Sequence, residues 1–276
     1  MPVLVSAADL AEELAGPRPP RLLDVRWTLT RPDGRDDHAA GHLPGAVYVD
    51  LDTELASIGD PRRGRHPLPT REAFQQAARR WGLRQDDAVV VYDDGPSFGA
   101  ARAWWLLRHA GVADVRILDG GLAAWTAAGG SLEAGAVTVE PGDIALDWDR
   151  MPVTDADGAA VWPERGILLD ARAAERFRGE VEPMDPVAGH ITGAVNAPTA
   201  ANSAADGTFL TAGDLSARFA RLGVDDATRV AVYCGSGVTA AHQIAALEIA
   251  GIRASLYPGS WSEWSNDPRR PAATGR

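Results

Sequence analysis

Leu22-Leu23-Asp24-Val25-Arg26 comes back as Leu168-Leu169-Asp170-Ala171-Arg172, and that return decides how the chain folds. Three further blocks repeat in the same order. Gly41-His42-Leu43-Pro44-Gly45-Ala46-Val47 is matched by Gly189-His190-Ile191-Thr192-Gly193-Ala194-Val195, Val91-Tyr92-Asp93 by Val232-Tyr233-Cys234, and Gly120 and Trp125 by Gly259 and Trp264. The spacing between the copies drifts by a few residues, as loop insertions and deletions would make it. A repeat of this length is a whole domain rather than a solenoid unit, and 276 residues hold two domains of ordinary size. The reading is a first domain over residues 1–130, a linker over 131–157 mixed in Gly, Pro, Ala and acidic residues, and a second domain over 158–276.

Each copy reads as α/β. Short runs rich in Val, Ile and Leu (21–26, 88–92 and 115–118, then 167–170, 229–233 and 254–257) suit strands buried on both faces. Between them Ala103, Leu107 and Ala110 keep helical spacing, as do Ala240, Ile244 and Leu247. Strand–helix alternation predicts a mostly parallel sheet with helices on both faces in each domain.

The formal net charge of −11 argues against a nucleic-acid or acidic-membrane binder, which needs a basic face. No run of 18 apolar residues exists to span a membrane. Met1 to Leu14 carries Asp9, Glu12 and Glu13 and no base, the wrong charge for a secretory or transit peptide, so a cytoplasmic protein is expected. The two domains offer each other facing surfaces to bury, and a monomer is the corresponding expectation. One cysteine rules out an internal disulfide or a thiolate cluster for metal.

That cysteine, Cys234, ends the apolar run Val230-Ala231-Val232-Tyr233 and begins Cys234-Gly235-Ser236-Gly237-Val238-Thr239-Ala240, ahead of an amphipathic helix. The thiol therefore stands at the carboxyl end of a buried strand, where ligands bind in open parallel sheets. Amides of a glycine-bearing turn and the helix N-terminus both favour thiolate over thiol, and would solvate a persulfide or an oxyanion. The plainer alternative, a small apolar side chain in an ordinary turn, does not account for this setting.

The Cys-Gly-Ser-Gly-Val-Thr-Ala run, the paired Gly-His-(Leu/Ile)-x-Gly-Ala-Val blocks and the Asp-x-Arg strand ends together resemble the tandem rhodanese-type sulfurtransferases, from about Val3 to Trp264. The resemblance implies two rhodanese-like domains, catalysis by Cys234 in the second, and no cofactor or metal. It implies a small anionic sulfur donor, thiosulfate or 3-mercaptopyruvate, and a thiophilic acceptor such as cyanide, a thiol or a thioredoxin-like protein. Asp93 stands in the cysteine's place in the first copy. Asp93-Asp94-Gly95-Pro96-Ser97 is read as no anion cradle, and the first domain as scaffold and lid. The neutral Gly235-Ser236 after the cysteine is similar to the 3-mercaptopyruvate branch, since basic residues there would favour a dianion.

The resemblance also assigns roles. Gly235, Ser236, Gly237, Val238, Thr239 and Ala240 form the donor-binding loop, with Thr239 expected as the cap of the following helix. Arg176 holds the donor's carboxylate with its bidentate fork. Met184 occupies the position of a second clamp arginine, which puts strict mercaptopyruvate specificity in doubt. Ser236 belongs to an Asp–His–Ser proton relay, with His42 as the candidate histidine and Asp33, Asp36 or Asp37 as the acid. His42 has a twin in His190, however, and a histidine duplicated with its loop reads equally as structural. Trp27, Trp104, Trp105, Trp125, Trp261 and Trp264 read as packing residues, with Trp27 a candidate for lining the cleft.

Three rival readings remain. A phosphatase of the same fold needs an arginine after five residues, and Ala240 stands there. A non-catalytic binding module would have no use for the cysteine. A persulfide relay, fed by another protein, differs only in its donor.

Overall fold

The computed structural model of the chain describes residues 2–57 and 59–275. They gather into two compact units, one of residues 2–57, 69–151 and 205–209, the other of residues 59–68, 152–204 and 210–275.

The first unit is built on five parallel strands, β1 (Leu4–Val5), β2 (Arg21–Asp24), β3 (Val47–Tyr48), β4 (Val89–Tyr92) and β5 (Val115–Leu118), in the order β1-β5-β4-β2-β3. The second has β6 (Ile167–Asp170), β7 (Val195–Asn196), β8 (Val230–Tyr233) and β9 (Ala254–Leu256), all parallel, in the order β7-β6-β8-β9. Val153 bridges Leu256 where β1 lies on β5 in the other copy, so the fifth strand has shrunk to one bridge. Every residue of β4 and β8 is buried, as expected of central strands covered on both faces.

The two cores are copies of each other. Ala7, Leu10, Leu22, Leu43, Val90, Tyr92 and Trp125 pack together in the first. Ala156, Ala159, Leu168, Ile191, Ala231, Tyr233 and Trp264 do so in the second. Tyr92 and Tyr233 each accept a bond from the backbone N–H that follows the repeated histidine, at 3.0 Å from Leu43 and 3.1 Å from Ile191. The sequence repeat is thus a repeat of contacts.

The predicted linker is not a free tether. Ile144 and Leu146 are buried in the first unit, and Arg79 Nε donates to the Ile144 carbonyl at 3.0 Å. Residues 152–157 join the second, where Thr154 N–H donates to Leu256 and Asp155 caps Ala156–Val161. Burial of its few apolar side chains divides the segment between the two units.

Candidate active site

β8 ends at Tyr233, and the turn that follows delivers Cys234 to the foot of the helix Val238–Ile249. Gly237 makes the turn at φ 81°, a left-handed conformation that costs glycine little. Its N–H points at Cys234 Sγ, at 3.1 Å. Gly237 itself is the helix cap and no side chain caps this end, so Thr239 does not take the predicted role. Val238 and Ala240 are buried in the first turn of the helix and Thr239 is half-buried.

The loop is fixed from residues 257–262. Ser260 Oγ accepts from Cys234 N–H at 3.1 Å and donates to the Tyr257 carbonyl at 2.9 Å. Trp261 and Ser262 donate their N–H groups to the Cys234 and Gly235 carbonyls, each at 2.9 Å. With its backbone held at both polar groups, Cys234 is fixed in place at its Cα by the fold. Cys234 is 1% exposed, so reagents meet it through the loop and not from open solvent.

Ser236 meets a histidine, but not the predicted one. Its Oγ lies 2.8 Å from His66 Nδ1. His66 comes from residues 59–68, which interrupt the first sequence copy yet pack with the second unit. A short 3₁₀ turn at Pro61–Arg63 starts the segment, and Gly64, at φ 88°, lets it lie against the Gly259 carbonyl. His42 is buried in the first unit. Its Nδ1 donates to the His38 carbonyl at 2.7 Å and its ring stacks on His38 at 4.0 Å. Its twin His190 bonds the Phe177 carbonyl at 2.7 Å and stacks on Phe177. Asp33 and Asp37 are engaged with Arg35 and Arg31, and Asp36 is exposed. What separates His66 from His42 in the sequence is the lack of a twin, but His38, His109 and His242 lack one too.

Arg176 stands at the loop, as expected. A Cβ built on Gly235 would lie 3.4 Å from its Nη1. Its Nη2 bonds Glu182 at 2.6 Å and reaches Asp185 at 3.5 Å. Glu182 also takes Arg172 Nη1 at 3.3 Å, and Arg172 in turn grips Asp170 at 2.6 Å. Arg65 completes the chain by an ion pair with Asp185. Burial pushes the Asp185 carboxyl up while Arg65 pulls it down, and burial prevails. Met184, at the expected clamp position, is exposed, with its N–H on Glu182.

The corresponding loop of the first unit corrects another expectation. It is an anion cradle, and its own aspartate fills it. Asp93 Oδ1 accepts from Gly95 and Ser97 N–H at 3.0 Å each, and Oδ2 from Ala100 N–H at 3.2 Å. The amides converge here although no thiol stands among them. Burial raises Asp93 to about 6, against the pull of those three donors. An acid raised in the folded state stabilises fully below its ordinary value and loses that contribution as pH rises through the folded one. We therefore expect wild type to lose about 3 kcal/mol relative to Asp93→Asn between about pH 3.5 and 7, at about 1.4 kcal/mol per pKa unit. Urea unfolding of both proteins across that range checks it, and a constant difference would count against it.

Trp104, Trp105, Trp125, Trp261 and Trp264 are buried packing residues, and half-buried Trp27 donates Nε1 to Asp52 at 3.0 Å. Among the described residues no helix is long and apolar enough to cross a membrane.

Two copies of one parallel sheet, one bearing a buried thiol at its strand end, define a protein of duplicated domains. The Rhodanese-like domain matches residues 6–128 and again 156–267. The chain belongs to the rhodanese family, in its tandem-domain sulfurtransferase form. It is 51% identical over 99% of its length to the putative thiosulfate sulfurtransferase SseB of Mycobacterium tuberculosis, covering 97% of that protein. It is 48% identical, over 99% of its length and 98% of the other chain, to a probable 3-mercaptopyruvate sulfurtransferase of Pseudomonas aeruginosa. The crystal structure of SseA from Escherichia coli, a 3-mercaptopyruvate sulfotransferase by its description, superposes with a TM-score of 0.84 at 35% identity, covering 95% of this chain and 99% of that one.

Proposed function

We propose that the chain moves sulfur from 3-mercaptopyruvate, through a persulfide on Cys234, to a thiol or thioredoxin-like acceptor. The observation that carries the choice of donor is the 2.8 Å contact between Ser236 Oγ and His66 Nδ1. When the Cys234 thiolate takes the sulfur of 3-mercaptopyruvate, the C–S bond breaks and its electron pair stays on carbon as the enolate of pyruvate. The donor's thiol proton must then travel from sulfur to that carbon. A hydroxyl–imidazole pair two residues from the nucleophile can carry it. The products are a persulfide anion and pyruvate, with no net proton taken up. Thiosulfate releases sulfite as a stable dianion and needs no such proton. The loop amides and the foot of the helix stabilise charge gathering on sulfur, and Arg176 seats the donor's carboxylate. The outer sulfur then passes to the acceptor thiolate, and Cys234 returns as thiolate.

Steady-state turnover of both donors tests the reading. We expect kcat/KM for 3-mercaptopyruvate to exceed that for thiosulfate by at least about tenfold, and Ser236→Ala to slow the first by about 10²-fold while leaving the second within a few-fold. Preference for thiosulfate, the donor in the name of the mycobacterial relative, would overturn the choice of donor. A sulfur adduct on Cys234 from another protein, with no turnover of either small donor, would make the chain a relay.

A further inference from the structure

Residues 181–187 are folded with their polarity reversed. Val181-Glu182-Pro183-Met184-Asp185-Pro186-Val187 holds two acids and five apolar residues, and the acids would ordinarily face water. Here the Glu182 and Asp185 side chains are 3% and 1% exposed, while all five apolar residues are exposed, Val181 by 50%, Met184 by 46% and Val187 by 42%. The acids have a reason to turn inward. Glu182 holds Arg172 and Arg176 and accepts the Met184 and Asp185 N–H groups at 3.1 and 3.2 Å, and Asp185 pairs with Arg65. None of those bonds requires Val181, Met184 or Val187 to be apolar. A continuous apolar ridge held toward water marks a surface that another molecule covers.

The ridge adjoins the nucleophile. Trp261 donates its indole N–H to the Val187 carbonyl at 2.9 Å and its backbone N–H to the Cys234 carbonyl, also at 2.9 Å. One residue thus joins the ridge to the loop. Cys234 is 1% exposed, so a protein thiol can reach it only by laying its own surface on the surface around the loop.

We infer that residues 181–187 are the docking ridge for the protein that takes sulfur from Cys234, a thioredoxin-like acceptor whose thiol is flanked by uncharged apolar residues. The inference rests on the acceptor reading above. Charge and area both select this occupant. The chain carries −11, yet this segment withdraws both of its charges, so it complements an uncharged face and repels no acidic partner. The apolar area offered is on the order of 300 Å². A stable dimer needs about 800 Å² from each partner, so the ridge suits an acceptor that leaves after each turnover better than a second copy of the chain. Met184 is flexible and polarizable enough to fit more than one such face. In the docked complex the acceptor sulfur bonds the outer sulfur of the persulfide anion as the bond to Cys234 breaks. Cys234 leaves as thiolate, and the acceptor's thiol proton ends on the transferred sulfur.

The test charges the full-length protein with sulfur from polysulfide, so that the choice of donor plays no part, and follows transfer to reduced thioredoxin and to dithiothreitol. Val187→Glu and Val187→Lys should each raise KM for thioredoxin about tenfold and leave transfer to dithiothreitol within about twofold. Both changes fall on an exposed side chain, and Trp261 bonds the Val187 backbone. Val181→Glu should act in the same direction and serves if either variant fails to fold. Opposite effects of glutamate and lysine would show a general charge effect and overturn the apolar ridge. An unchanged KM in variants of a protein that serves thioredoxin would overturn the ridge alone. A wild type that serves dithiothreitol but not thioredoxin would sink the acceptor reading and the ridge with it. A wild-type dimer in sedimentation that Val187→Glu dissociates would give the ridge to a second copy and overturn the proposal.

Discussion

Replacing Cys234 by serine is expected to lower sulfur transfer by at least about a thousandfold and leave the fold unchanged. The hydroxyl is a far weaker nucleophile at neutral pH, and oxygen forms no counterpart of a persulfide. The change removes little volume, and the loop's supports are backbone groups and Ser260, none of which depends on sulfur except the Gly237 N–H. That N–H can donate to a serine oxygen instead. Mass analysis of intact protein after exposure to donor checks the same point without turnover: wild type should gain the mass of one sulfur and the variant nothing. Because the chain holds no second cysteine, residual turnover above about one per cent of wild type would demand a different nucleophile and would remove the persulfide from the mechanism.

The fold and the placing of the thiol at a strand end were legible because both are written in local patterns. β4 and β8 are continuous apolar runs, and the repeat of Asp-x-Arg, Gly-His and Tyr blocks carries the same buried bonds in each copy. Cys234 stood out as a thiol at the position where the first copy has the carboxylate of Asp93. What escaped has no local signature. His66 and Arg65 lie in a segment that belongs by sequence to the first copy and by packing to the second unit, so neither periodicity nor the repeat could point to them. His42 attracted attention because its motif is conspicuous, but its Nδ1 is spent on a backbone carbonyl. The cradle around Asp93 was misjudged for a related reason: the sequence shows a carboxylate where a thiol might stand, but not that the amides still converge on it.

Arg172→Met should destabilise the second unit by about 3–5 kcal/mol, because it leaves buried Asp170 without its base. Asp170 is fully buried and takes its main charge partner from Arg172, whose own guanidinium is 2% exposed. Burial opposes the charge on Arg172, but Asp170 outweighs burial and holds the proton more firmly than usual. Arg172 also donates to the Gly189 carbonyl at 2.6 Å, tying the repeated Gly-His block to the strand end. Arg26 does the same in the first unit, with Asp24 at 2.9 Å and Gly41 O at 2.5 Å, so Arg26→Met should cost its own unit a similar amount. The two variants should differ in function. Arg172 alone reaches Glu182, which fixes Arg176, so Arg172→Met should also raise the donor KM at temperatures where the protein stays folded. Urea unfolding together with KM in both variants decides the matter. Asp170→Leu combined with Arg172→Met should recover part of the lost stability, since it removes a buried charge and not merely its partner, but should leave KM raised. If the double variant restored KM as well, the link from Asp170 through Arg172 and Glu182 to the donor seat would be wrong, and the repeated Asp-x-Arg pair would serve the fold alone.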